Sequence, residues 1–281
     1  MTPLVTTAWL AGELGATDLV VLDASSHLPD AGRDAAAEFA AGHIPGARFL
    51  DLATFTDPDS PVPAAIPSPA QFAERMANLG VSGKARVVVY DDSYVKTAAR
   101  AWFVMRLRGV AEVAVLDGGL GKWKREKREL ETGEAQVAPA EFAPADGVGE
   151  VRTKANMLAN LDTRAEQVVD ARGTARFTGE QADFRPEVAS GHIPGSRNVP
   201  FDQVMNEDGT YKEPASIRAA FTAAGLDLGA PIAATCGGGV TAAVLLFALF
   251  LAGKHDVALY DGSWAEWGTD PATPKELGAA A

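Results

Sequence analysis

The only cysteine of the chain, Cys236, is followed directly by three glycines. The segment 231–243 reads PIAATCGGGVTAA, which predicts a buried strand, a tight loop and a long apolar helix that begins near Thr241. Because glycine adopts backbone angles that other residues avoid, several amides of this loop can turn toward one sulfur atom. The helix N-terminus adds a partial positive charge, and such surroundings favour a thiolate. We therefore expect Cys236 to be a nucleophile in an anion cradle, whose substrate-binding residues are Gly237, Gly238, Gly239, Val240 and Thr241.

An internal repeat favours this interpretation over a plain core cysteine, although cysteine is among the most buried residue types. Segments of the first half recur in the same order about 147 residues later in the chain. The matching pairs are LVVLDA at 19–24 with QVVDA at 167–171, GHIPGA at 42–47 with GHIPGS at 191–196, and VAVLDG at 113–118 with VALYDG at 257–262. In both copies of the last pair, a tryptophan lies six residues after the aspartate.

The first half differs from the second at the position of the cysteine. There the predicted strand 86–90 is followed by Asp91, and the segment lacks both the cysteine and the glycine run. Two copies of a purely structural loop would resemble each other more closely. The difference therefore assigns the chemistry to the second half.

The repeat also predicts two domains. Residues 135–149 are rich in alanine, proline and glycine and show no apolar periodicity, which is typical of a linker. We expect an N-terminal domain over 1–140, a linker over 141–150 and a C-terminal domain over 151–281.

Short apolar runs alternate with helical patterns in each half, and this order predicts an α/β fold. Each domain should contain a mainly parallel sheet with helices on both faces, and ligands of such sheets lie beyond the carboxyl ends of the strands. Strands are predicted at 18–22, 86–90, 113–116, 168–170, 231–235 and 257–260, and helices at 68–79, 97–108, 216–224 and 241–252.

Charge and composition exclude several classes of partner. The net charge of -12 disfavours nucleic acid and anionic membranes, because polyanions are repelled at long range. The N-terminal segment does not resemble a targeting signal, and the longest apolar run, 240–252, is too short to cross a bilayer, so a cytoplasmic location is expected. One cysteine and four histidines without zinc spacing predict neither an internal disulfide nor a metal site.

The loop that begins at Cys236, the duplicated GHIPG and the aspartate–glycine pair near the end of each half together resemble tandem rhodanese-domain sulfurtransferases. The resemblance spans essentially the whole chain. It implies that the first domain is catalytically silent, with Asp91 as a common replacement for the cysteine. It also implies that Cys236 of the second domain accepts a sulfur atom as a persulfide.

Within that family, the loop is similar to that of 3-mercaptopyruvate sulfurtransferases, which carry Cys-Gly-Ser/Thr-Gly-Val-Thr-Ala. Thiosulfate sulfurtransferases place basic residues directly after the cysteine. Gly238 departs from the first pattern, because a serine or threonine hydroxyl, proposed to take part in proton handling, is expected there. The resemblance therefore favours 3-mercaptopyruvate as the donor and leaves thiosulfate open.

The same resemblance assigns Arg176 and Arg185, whose spacing matches a pair of arginines in the mercaptopyruvate enzymes. A guanidinium pairs with a carboxylate or sulfonate through two hydrogen bonds, so the pair would hold the anionic end of a small sulfur donor. The alternative is a solvated pair on a charged loop. Arg172 lies nearer the strand, and we expect a structural role for it.

Histidine is a frequent general base, but His43 and His192 both belong to the duplicated GHIPG, so we expect each to fix a turn. His43 and Asp34 nevertheless lie where related enzymes are thought to contribute a relay to the missing hydroxyl. Asp23 and Asp170, at the ends of paired strands, are expected to be structural.

The predicted reaction is a double displacement through a Cys236 persulfide, with a thiol such as thioredoxin, or cyanide, as the acceptor. It requires no metal or organic cofactor. Two alternatives remain. A cysteine phosphatase would need an arginine six residues after the cysteine, where this chain has Ala242. A persulfide carrier or binding module would not need both arginines.

Overall fold

The structure is a computed structural model that describes residues 1–135 and 137–280. Gln136, in the stretch expected to be a linker, and Ala281, at the end of the predicted second domain, lie outside the described residues. The chain divides into two compact units. The first comprises Met1–Pro58, Ile66–Val148 and Glu207–Tyr211, and the second comprises Asp59–Ala65, Gly149–Asn206 and Lys212–Ala281.

Each half forms a five-stranded sheet in which every pair of neighbouring strands is parallel. The first sheet has the order β1-β5-β4-β2-β3, and its strands are β1 (Leu4–Val5), β2 (Leu19–Asp23), β3 (Arg48–Phe49), β4 (Arg86–Tyr90) and β5 (Glu112–Leu116). The second has the equivalent order β6-β10-β9-β7-β8, with β6 (Glu150–Arg152), β7 (Gln167–Asp170), β8 (Arg197–Asn198), β9 (Ile232–Thr235) and β10 (Val257–Tyr260).

Helices flank both sheets. Those of the first half are α1 (Thr7–Glu13), α2 (Ala35–Ala41), α3 (Pro69–Asn78), α4 (Ala98–Leu107) and α5 (Gly119–Arg125). Those of the second half are α6 (Lys154–Thr163), α7 (Thr174–Thr178), α8 (Pro214–Ala223), α9 (Val240–Leu251) and α10 (Ser263–Trp267). Short 3-10 helices cover Pro29–Ala31 and Phe201–Val204. The predicted α/β class with flanked parallel sheets is confirmed.

Local sequence explains where the main elements begin and end. Helix α3 starts at a capping box: the Gln71 amide donates to the Ser68 hydroxyl, and the Ser68 amide donates to the Gln71 side chain. Pro69 occupies the first turn. Strand β4 is buried from Val87 to Tyr90 and β9 along its whole length, because a parallel sheet is covered on both faces. Helix α9 is apolar on every side, and its residues from Ala242 to Leu249 are buried, so it is a core element.

The central strand of each sheet, β4 or β9, ends at the position that distinguishes the two halves. Asp91 follows β4 directly and Cys236 follows β9 directly. In open parallel sheets, ligands bind beyond the carboxyl ends of the strands, where the chain changes its winding direction. The fold therefore places Cys236 at the expected position for a site. None of the helices in the described part of the chain has the length and apolar character that a membrane span requires.

Candidate active site

Cys236 lies between the end of β9 and the start of α9, and only 1% of its surface is exposed. Gly239 is the residue before α9 and has φ 78°, in the left-handed region that favours glycine. Gly237 and Gly238 do not use that region. A Cβ added to either of these two would meet no atom within 4 Å, so there is open space beside the loop.

The start of α10 holds the carbonyl side of this loop. The amide of Trp264 donates to the Cys236 carbonyl at 2.9 Å, and the amide of Ala265 donates to the Gly237 carbonyl at 2.9 Å. In a trans peptide the N–H points opposite to the C=O of the same group. The amides of Gly237 and Gly238 therefore point away from α10, as donors in a cradle must.

Helix α9 adds positive potential at the same place. The first amides of an α-helix have no partner within the helix, and Gly239 offers no side chain to cap them. Val240 and Thr241 form this first turn. The partial positive charge of a helix N-terminus stabilises an anion placed before it, here the sulfur of Cys236 or a second sulfur bound to it.

Arg176 and Arg185 are held together by Asp183, which the sequence analysis did not identify. Arg176 Nη2 lies 2.6 Å from Asp183 Oδ2, and Arg185 Nε lies 2.8 Å from Asp183 Oδ1. The Asp183 side chain is 2% exposed, whereas the two arginine side chains keep 26% and 24% of their surface in solvent. The arginines can therefore still reach a bound anion.

The same pair of arginines sets the charge state of Asp183. Burial alone would raise the pKa of this carboxyl. Hydrogen bonds from Arg185 and the charges of Arg176 and Arg185 outweigh burial and lower the pKa of Asp183 to about 2. Asp183 is therefore ionised at neutral pH and fixes both guanidinium groups.

Arg185 also connects this cluster to the cysteine loop, because its Nη2 donates to the Gly237 carbonyl at 3.4 Å. Phe184 lies between the arginines in sequence, is 61% exposed, and its ring is 5.5 Å from the Arg176 guanidinium carbon and 4.9 Å from that of Arg185. The structure thus brings Arg185 to the Cys236 loop, and Asp183 and Phe184 constrain both arginines.

Both GHIPG histidines have the same structural surroundings. The His43 ring stacks on Phe39 at 3.9 Å and its Nδ1 donates to the Phe39 carbonyl at 2.8 Å. The His192 ring stacks on Phe177 at 3.8 Å and its Nδ1 donates to the Phe177 carbonyl at 2.9 Å. Both rings are buried, and the equal geometry in both halves supports a role in fixing the turn.

The remaining polar candidates have local partners. Asp34 is the N-cap of α2 and accepts hydrogen bonds from the amides of Ala36 and Ala37. Arg172 is buried and pairs with Asp170, with Nη2 2.7 Å from Oδ2. In the first half, the Asp23 carboxylate accepts from the Ser25 amide at 2.8 Å, and burial raises the pKa of Asp23. These contacts agree with structural roles for Arg172, Asp170 and Asp23.

The cysteine position of the first half is filled by a carboxylate. The Asp91 carboxylate accepts hydrogen bonds from the amides of Ser93 at 2.9 Å and Ala98 at 2.7 Å. Ala98 is the first residue of α4. Burial raises the pKa of this carboxyl. The loop before α4 therefore holds a hydrogen-bond acceptor, the Asp91 carboxylate, at the position where the second half has Cys236.

Residues 6–126 and 153–270 match the family model described as a rhodanese-like domain. The chain is 42% identical to the 3-mercaptopyruvate sulfurtransferase of Mus musculus over 94% of this chain and 91% of that protein. It is 40% identical to the thiosulfate sulfurtransferase of Rattus norvegicus over the same shares. The crystal structure of the 3-mercaptopyruvate sulfotransferase SseA from Escherichia coli superposes with a TM-score of 0.85 and 37% identity, over 94% of this chain and 99% of that one.

Proposed function

Because this chain belongs to the rhodanese-like family, we propose that it is a sulfurtransferase that moves the sulfur of 3-mercaptopyruvate, as the sulfane sulfur of a Cys236 persulfide, to a thiol or to cyanide. The observation that carries the proposal is the position of Cys236, buried between β9 and the N-terminus of α9, where the N-cap residue is Gly239. This position suits a sulfur that must bear negative charge both before and after transfer.

In the first half-reaction the Cys236 thiolate attacks the sulfur of 3-mercaptopyruvate. A sulfur–sulfur bond forms, the carbon–sulfur bond breaks, and its electron pair leaves on carbon as the enolate of pyruvate. The proton of the donor thiol then moves to that carbon, so pyruvate and an ionised Cys236 persulfide result.

The cluster around Asp183 supplies the anion-binding groups for this step. Arg176 and Arg185 would bind the carboxylate of the donor through charge-assisted hydrogen bonds, while Asp183 keeps their guanidinium groups in place. Loop amides and the α9 N-terminus would stabilise the negative outer sulfur of the persulfide. No group of this scheme is a metal or an organic cofactor.

In the second half-reaction an acceptor thiolate attacks the outer sulfur and takes it, which regenerates the Cys236 thiolate. Cyanide would take the same sulfur to give thiocyanate. With a dithiol such as reduced thioredoxin, the second thiol displaces the sulfur as hydrosulfide and leaves a disulfide. The two half-reactions predict ping-pong kinetics.

Thiosulfate is the second candidate donor, because the chain is 40% identical to a thiosulfate sulfurtransferase over most of its length. The Cys236 thiolate would then displace sulfite from the outer sulfur of thiosulfate. The loop favours 3-mercaptopyruvate, since Gly237 and Gly238 place no basic side chain beside the cysteine. A phosphatase is disfavoured, because the position that needs an arginine holds the buried Ala242.

Parallel assays with the purified chain test this proposal. Pyruvate release from 3-mercaptopyruvate with a thiol acceptor is expected to exceed thiocyanate formation from thiosulfate and cyanide. The reverse order would make thiosulfate the donor. Inertness toward both donors would indicate a persulfide carrier instead.

Several further assignments belong to the proposal. We propose that residues 1–140 are the silent domain, that 141–150 are the linker and that 151–281 carry the chemistry. The relay through His43 and Asp34 stays a prediction, as do thioredoxin as the physiological acceptor and the cytoplasmic location.

A further inference from the structure

The equivalent loops of the two halves are held in different ways. In the first half, the Asp91 carboxylate accepts the amides of Ser93 and Ala98, so the loop is closed by one of its own side chains. From outside, the Leu120 amide donates to the Asp91 carbonyl at 3.0 Å. A cysteine does not supply this closure, because a thiol lacks the two carboxylate oxygens that accept the Ser93 and Ala98 amides.

In the second half, residues of α10 make the hydrogen bonds that hold the loop. The Trp264 amide repeats the bond of Leu120, and a side chain adds a contact of its own: the Cys236 amide donates to Ser263 Oγ at 3.2 Å. The Ser263 hydroxyl in turn donates to the Tyr260 carbonyl at 2.9 Å. Ser263 thus connects the residue that bears the nucleophile to the end of the neighbouring strand.

The backbone conformation of Ser263 is one that serine rarely adopts. Ser263 has φ 49°, in the left-handed region that residues other than glycine avoid, and it is fully buried. The matching residue of the first half is Gly119, with φ 54°. A Cβ there would lie only 2.3 Å from the Asp91 carbonyl oxygen. Glycine is therefore the natural residue for this turn, and the second half departs from it.

We propose that Ser263 is a positioning residue for Cys236, which fixes the peptide group of the cysteine and so aims its sulfur at the loop amides and the α9 N-terminus. This inference rests on the proposed sulfur transfer, and it assigns to the Ser263 hydroxyl the closure that the Asp91 carboxylate performs in the first half. Ser263 does not contact the donor in this scheme, because its proton is held by the Tyr260 carbonyl.

The substitution Ser263→Gly separates positioning from stability. It removes a buried hydrogen bond, which destabilises the fold, and relieves the left-handed strain, which offsets that loss, so the melting temperature should change little. Loss of one buried hydrogen bond at the reacting residue should lower kcat about tenfold. The KM for the donor should change by less than about twofold, since Arg176 and Arg185 are untouched.

Alkylation of Cys236 by iodoacetamide provides a readout that does not depend on turnover. The second-order rate at neutral pH should fall about tenfold in Ser263→Gly, in parallel with kcat. If the unaltered chain were inert toward sulfur donors while this effect on alkylation persisted, the proposed function would fail and the positioning role would stand. Full transfer activity with equal alkylation rates in both proteins would overturn the positioning role alone.

Two variants complete the test. Lys127→Gly relieves a left-handed residue with φ 55° at an exposed site, so it should leave kcat and alkylation unchanged. Ser263→Ala removes the hydroxyl but keeps the Cβ and the strain, and it should lose activity as Ser263→Gly does, with lower stability. Full activity in Ser263→Ala would contradict the proposal, because the loss in Ser263→Gly would then come from backbone freedom.

Discussion

Replacement of Arg185 by alanine should weaken donor binding much more than it slows chemistry. Arg185 is the only residue of the cluster for which the described contacts include both Asp183 and the cysteine loop, through the Gly237 carbonyl. Arg185→Ala removes the guanidinium nearest the loop and leaves the buried Asp183 carboxylate with Arg176 as its remaining partner in the cluster. The negative charge of Asp183 then repels an anionic donor that it formerly helped to bind.

The size of the effect follows from the bond that is lost. A charge-assisted hydrogen bond contributes about 1.5–3 kcal/mol, so its loss should raise the KM for the donor roughly 10- to 100-fold. The Cys236 thiolate and the α10 contacts are unchanged, so kcat should fall only about threefold. Arg185→Lys should give an intermediate KM, since an ammonium keeps the charge but not the two-point geometry.

Steady-state release of pyruvate over a range of donor concentrations measures both constants. Arg152→Ala is the matched control, because the Arg152 side chain is 24% exposed, like that of Arg185, and pairs with Glu150 and Glu166 at β6. The control should have the same KM as the unaltered chain. An unchanged KM in Arg185→Ala, or an equal rise in Arg152→Ala, would refute the assignment of Arg185 to the donor carboxylate.

Three further predictions concern the same site. Cys236→Ser should abolish pyruvate release and keep the far-UV circular dichroism spectrum, and residual turnover in this variant would exclude Cys236 as the nucleophile. Gly238→Ser should keep the unfolding free energy within ~0.5 kcal/mol, because its Cβ meets no atom within 4 Å, and a clear destabilisation by urea titration would show that the loop is closed there. The lowered pKa of Asp183, about 2 against 3.8, contributes stability above pH 3.8 that is lost as the pH falls toward 2. Urea unfolding should therefore show Asp183→Asn less stable than the unaltered chain by about 2 kcal/mol at neutral pH, with a difference that shrinks steadily as the pH falls through 2, and a difference that does not shrink would contradict the bridge.

The elements with strong apolar patterns were predictable from the sequence. Strand β9 was expected at 231–235 and begins one residue later, at Ile232–Thr235. Helix α9 was expected at 241–252 and is shifted by one residue at both ends, to Val240–Leu251. The repeat doubled this information, because each half confirmed the order of elements in the other. The two-residue edge strands β1, β3 and β8 were not predicted, since so few residues carry no periodicity and depend on pairing with distant strands.

The site was predictable only in part. Cys236 and the glycine loop follow from residue types in a row, and both arginines from a spacing shared with a family. Asp183 was missed because it lies in an irregular segment, although an acid between two cations was a signal for a bridge. Ser263 was missed because the left-handed backbone that makes it unusual cannot be seen in the sequence, even though the repeat aligns it with Gly119.

The central claim is that Cys236 carries the transferred sulfur in the cradle between β9 and α9. Its most direct test is mass spectrometry of the intact chain after incubation with 3-mercaptopyruvate in the absence of an acceptor. We predict a mass increase of one sulfur atom that maps to the peptide containing Cys236 and is lost when cyanide or a thiol is added. Pyruvate release without this increase, or an increase that also occurs in Cys236→Ser, would contradict the claim.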